Sequence, residues 1–61
     1  MTESEGQLKA ILNSALNYKG CGRIERYEDF KRRVRQVEKQ FGITQEQYDK
    51  TMFEIIEILK V

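Results

Sequence analysis

A chain of 61 residues with one cysteine and no histidine excludes an intrachain disulfide and lacks the residue that most zinc and general-base sites use. Such a chain makes one domain, residues 1–61, and buries only roughly 60% of its unfolded surface, so an enclosed catalytic cleft is not expected and neither are an enzyme activity, a cofactor, a metal or a small-molecule substrate. With 39% hydrophobic and 34% charged residues, no proline and a formal charge of +1, the composition is that of a soluble all-α domain, with neither a basic nucleic-acid footprint nor an acidic tail in the totals.

No apolar run approaches the roughly 18 residues of a membrane span, and Met1-Thr2-Glu3-Ser4-Glu5 is acidic where a secretory signal is basic, which predicts a cytoplasmic protein with no membrane partner. The first stretch has two candidate starts, Thr2 with Glu5 and Ser4 with Gln7, each a hydroxyl followed by a side chain able to cap back. Leu8, Ile11, Leu12, Ala15, Leu16 and Tyr18 then recur at helical steps and predict a helix over about residues 4–18. Lys19-Gly20-Cys21-Gly22-Arg23 follows, and its paired glycines predict an irregular joint, the least rigid place in the chain.

Tyr27, Phe30, Val34, Val37 and Phe41 have the spacing of an apolar seam between packed helices and predict a second helix over about residues 27–41. Glu28 and Asp29 fall in its first turn and Lys39 in its last, where each suits the macrodipole, and Gly42 ends it. Thr44 and Gln47 then form a capping box, with Ile43 and Tyr48 at the staple positions, opening a third helix over about residues 45–60. Its apolar residues Met52, Phe53, Ile55, Ile56, Ile58 and Leu59 span about 220° of the circumference at ~100° per residue, more than a surface helix needs. The expected architecture is a compact three-helix domain with a tight glycine turn between the last two helices. Those two pack antiparallel if the turn folds back, and form a helix-turn-helix if they cross steeply.

Charge is segregated along the chain: residues 1–18 carry −1, residues 19–42 carry +4 and residues 43–61 carry −2. Arg32, Arg35 and Lys39 fall opposite the apolar seam of the second helix, with Arg23 and Arg26 in the joint before it. A cationic stripe of this kind docks an acidic protein surface or contacts phosphates, with affinity that falls as salt rises. Its plainer reading is a solvated face paired to Glu28, Glu38 and the acids of the third helix.

The run from Val37 to Tyr48 resembles the core of a DNA-binding helix-turn-helix, in which an apolar helix end, a turn glycine, an apolar residue and a polar cap lead into a recognition helix. That resemblance implies a dimeric nucleic-acid binder with Gln45, Gln47 and Lys50 as base readers and the second helix on the phosphates. The sequence departs from it at Glu38, where the motif favours a small residue, and at Glu46 and Asp49, which would turn negative charge toward DNA. The same segment also resembles, in its length and glycine turn, the two-helix aspartyl-phosphate phosphatases of sporulating bacteria. The acid such a phosphatase needs is Ile56 here, so no active residue carries over.

Cys21 lies between two glycines and beside Arg23, but with no partner base it reads as an ordinary loop thiol. Phe53 and Ile58, at the two edges of the broad third-helix arc, are the candidate association residues, because a homodimer seam would add burial to a thin core. The leading expectation is a small regulatory or inhibitory adaptor that binds a protein partner with an acidic surface through Arg23, Arg26, Arg32, Arg35 and Lys39. The alternative is the dimeric nucleic-acid binder.

Overall fold

In a computed structural model, which describes residues 3–61, the helical periods become α1 (Glu3–Leu16), α2 (Ile24–Phe41) and α3 (Gln45–Leu59), with no strand among the described residues. Each helix contributes its apolar stripe to one core: Leu8, Ile11 and Ala15 from α1; Phe30, Val34 and Val37 from α2; Tyr48, Met52, Ile55 and Leu59 from α3. Phe30, Ile55, Leu59 and Val34 are the largest side chains fully withdrawn from water. Leu12, Tyr27, Phe41, Ile43 and Ile58 pack around that centre half-buried.

Chain direction follows from the joint. Gly20 donates its N–H to the Ile58 carbonyl and Gly22 donates to the Leu59 carbonyl, both at 2.8 Å, so the end of α1 meets the end of α3 and these two helices run parallel. Helix α2 departs from that same end and returns toward the start of α3, antiparallel to both neighbours. The dimensions agree: the molecule measures 29 × 17 × 16 Å, whereas α3 alone is about 22 Å long at ~1.5 Å per residue, too long to lie across the bundle. The steep crossing of a helix-turn-helix is therefore not formed.

The helix ends differ from the sequence expectation in instructive ways. Helix α1 stops at Leu16 because Asn17, Tyr18 and Lys19 donate to Ser14, Ala15 and Leu16 at 3.1, 2.9 and 3.3 Å, a tightened last turn that leaves Tyr18 beyond the helix. Ser4 lies inside α1 rather than at its cap, and Thr2, the other candidate start, lies outside the described residues. Helix α2 begins at Ile24, a full turn before Tyr27, with Arg23 extended at its N-cap and Glu25 as the acid of its first turn. Ile24 is exposed, so this first turn buries no apolar side chain and adds nothing to the periodic signal.

The joint, expected to be loose, is tied to α3. Gly20 and Gly22 take φ of 75° and 64°, values that side chains with a Cβ adopt only at a cost of roughly 1–2 kcal/mol, and these turns aim both N–H groups at the last carbonyls of α3. At the other end Gly42, at φ 67°, donates to Glu38 and closes α2. Thr44 Oγ1 accepts from the Gln47 N–H at 3.1 Å while Gln47 Oε1 accepts from the Thr44 N–H at 3.1 Å, completing the capping box. Thr44→Ala removes one acceptor from that box and is expected to destabilise the fold by about 1 kcal/mol in urea unfolding, with no change in the slope of the transition.

The surface and size are those of a compact single chain. The accessible surface of 4366 Å² compares with roughly 4,200 Å² for a folded monomer of this mass. The radius of gyration of 10.8 Å compares with roughly 10.5 Å for a compact domain of this length.

Candidate functional site

The cations of α2 share one helix but not one environment. Arg26, on the α1 flank, stacks its guanidinium 4.0 Å above the Tyr18 ring. Arg35, on the α3 flank, lies 4.3 Å above the Tyr48 ring and donates to Glu38 at 3.0 Å. The Glu38 hydrogen bond is the main reason the Arg35 pKa is raised above its ordinary value, so this group stays cationic throughout. Arg33 pairs with Asp29 at 3.1 Å and lies 5.1 Å above the Phe30 ring, covering the largest buried aromatic of α2. Each exposed stack of this kind contributes about 0.5–1 kcal/mol, which ties these arginines to the fold as much as to any partner.

Arg32 and Lys39 are different. Both are exposed and form no ion pair among the described residues. Seven positions apart on one helix, they fall on a common face about 10 Å from each other, opposite Phe30 and Val37. Arg23, at the α2 N-cap, makes no side-chain cap bond and is exposed as well. The five predicted contact residues therefore resolve into two stacked arginines, Arg26 and Arg35, and three cations with no such engagement, Arg23, Arg32 and Lys39. The tyrosine platforms were not assigned this role from sequence. Tyr18 and Tyr48 meet α2 from the turn after α1 and from α3, so sequence spacing carries no trace of these contacts.

The candidate base readers are mostly committed within α3. Gln47 spends its side-chain oxygen on the capping box, and Gln45 donates to Asp49 at 2.9 Å. Lys50 is exposed, beside Glu46, Asp49, Glu54 and Glu57 around the Phe53 ring. Phe53 itself is 69% exposed, on the side of α3 away from the core. Ile58 is half-buried on the α1 flank, ~140° around the helix from Phe53 at ~100° per residue.

Cys21 is an exposed free thiol in the joint. Among the described residues no group of three or more His, Cys, Asp or Glu side chains is placed to hold a metal ion, and no helix is long and apolar enough to cross a membrane. Tyr48 is buried with its hydroxyl unpaired. A buried donor without a partner is destabilising, so Tyr48→Phe is expected to leave the thermal midpoint unchanged or raise it, because the ring that supports Arg35 and the core is retained. Comparison with known proteins finds no matching family model, no matching curated protein and no matching solved structure.

Proposed function

We propose that this chain is a small non-catalytic adaptor that regulates or inhibits another protein by docking on its acidic surface through α2. The observation that carries this reading is the pair Arg32 and Lys39, exposed and without ion-pair partners among the described residues, on the outer face of an α2 whose other cations are held by rings and carboxylates. Charges already desolvated or paired offer little to a partner, whereas free ones steer encounter and gain on contact. The antiparallel packing of α2 and α3 and the engagement of Gln45 and Gln47 favour this reading over base recognition. An exposed unpaired thiol at Cys21 suits the reducing, cytoplasmic setting that belongs to it.

The test is a titration of the full chain against an acidic polypeptide, polyglutamate, and against duplex DNA, each at two salt concentrations. Binding to polyglutamate that the variant R32E/R35E/K39E loses supports the adaptor reading. A salt-sensitive mobility shift of DNA at comparable or tighter affinity replaces it with the nucleic-acid one. Association of two copies, also part of this reading, rests on the exposed Phe53 alone. Sedimentation across a dilution series checks it, and a helical monomer at low micromolar concentration removes it.

A further inference from the structure

We propose that the outer face of α3 docks on the outer face of α2 in a second copy of this chain, so that self-association and capture of an acidic partner exclude one another. Phe53 is 69% exposed, the most of any large apolar side chain among the described residues. It stands on the side of α3 opposite the buried Tyr48, Met52, Ile55 and Leu59. Glu46, Asp49, Lys50, Glu54 and Glu57 surround its ring, all of them exposed. At ~100° per residue these positions form one stripe about 140° wide. Four carboxylates against one ammonium give the stripe a charge of −3. None of the four forms an ion pair among the described residues.

Covering the Phe53 ring is favourable by hydrophobic transfer, and the charge around the ring selects what covers it. Two α3 faces are poor cover for each other, because four carboxylates would meet four and like charges in contact are unfavourable. The complementary surface is on the same chain. Arg32 and Lys39 are exposed on the outer face of α2 and form no ion pair among the described residues. Their alkyl stems can lie over a ring while their charges stay at its rim.

The spacing fits in one direction. Laid antiparallel with Gln36 over Phe53, a rise of ~1.5 Å per residue on both helices brings Lys39 beside Asp49, Arg32 beside Glu57, and Glu28 of the same α2 face beside Lys60. The parallel setting brings Glu28 next to Glu46, a contact between like charges. The outer faces of α2 and α3 leave different edges of the three-helix bundle, so one copy does not present both to the same neighbour. The contact is therefore heterologous, α3 of each copy on α2 of the next, and it extends past the dimer or closes as a ring. This inference rests on the adaptor reading for the role of Arg32 and Lys39 and adds its regulation. A copy whose α2 is covered is closed to an acidic partner, and a partner that takes those cations releases the covering copy.

The experiment is sedimentation of the full chain at low and high salt, with R32E/K39E and F53S/E54Q/E57Q run alone and mixed. Wild type is expected to exceed a monomer at low micromolar concentration and to return to monomer as salt rises. Each variant alone is expected to associate more weakly by roughly tenfold or more. Their mixture is expected to recover association and to stop at a 1:1 dimer, because only α3 of the first and α2 of the second are intact. The substituted positions are exposed, so circular dichroism is expected to show both variants fully helical. A glutamate peptide too short to bridge two copies is expected to release monomers from the wild-type assembly. A monomeric wild type that binds this peptide overturns the inference and leaves the adaptor reading in place. Restored association in the mixture with no binding of the peptide supports the contact between α2 and α3 and overturns the adaptor reading. Undiminished association of R32E/K39E, a mixture that forms no dimer, or a monomeric wild type that binds a lysine peptide through Phe53 overturns the inference.

Discussion

Phe30→Ala is expected to leave the chain largely unfolded near physiological temperature, while Phe53→Ala leaves its melting curve almost unchanged. Phe30 is 1% exposed, its ring 6.1 Å from that of Tyr18 and covered by Arg33 at 5.1 Å. It packs in the core shared by all three helices. Truncating a buried Phe costs about 3–5 kcal/mol in lost transfer energy and residual cavity. A domain of this length has a total stability of roughly 3–9 kcal/mol, so one substitution removes about a third of it or more. At 4–8 °C per kcal/mol for small domains, the midpoint is expected to fall by roughly 12–40 °C. Phe53 shares the residue type and not the environment. At 69% exposed, its replacement is expected to change stability by about 0.5 kcal/mol or less. Thermal melts by circular dichroism decide the matter, and a Phe30→Ala melt within a few degrees of wild type would contradict the core described above.

The second large effect is on binding. R32E/R35E/K39E reverses three charges on one helix, and at low salt the association rate with an acidic partner is expected to fall on the order of 10²-fold, the scale on which electrostatic steering acts. The contributions are expected to be unequal. Arg32 and Lys39 have no ion-pair partners among the described residues, so R32E/K39E carries most of the loss without a fall in melting temperature. Arg35→Glu also places a carboxylate beside Glu38 and removes the guanidinium from the Tyr48 ring, so it is expected to lower stability as well as binding. Stopped-flow association at two ionic strengths separates these effects. Equal rates for wild type and R32E/K39E at low salt would remove the outer face of α2 from the docking surface.

Much of the architecture was legible one helix at a time. The alternating steps of Phe30, Val34 and Val37, and the box of Thr44 with Gln47, are local signals. They depend on the helical repeat and on neighbours a few residues away, and the buried stripe and the cap both form where the spacing places them. The start of α2 was not legible, because Ile24 and Glu25 sit on a solvated turn that leaves no apolar period. The candidate site was legible only as a set of cations. Which of them are stacked depends on Tyr18 and Tyr48 arriving from the joint after α1 and from α3.

The sequence by itself determined that this protein is three helices with one apolar stripe each, that its positive charge is concentrated on the second, and that the third is broadly apolar. Only the tertiary structure decided that α1 and α3 run parallel, that the glycine joint caps the end of α3, and that Phe53 faces solvent. It also decided that Arg26 and Arg35 are stacked while Arg32 and Lys39 form no ion pair among the described residues. The division has a physical reason. A periodic sequence states which face of a helix avoids water, because that follows from a repeat of ~3.6 residues along one backbone. It does not state what will lie against that face or beside its charges, since those contacts join residues tens of positions apart and form only when the helices have docked.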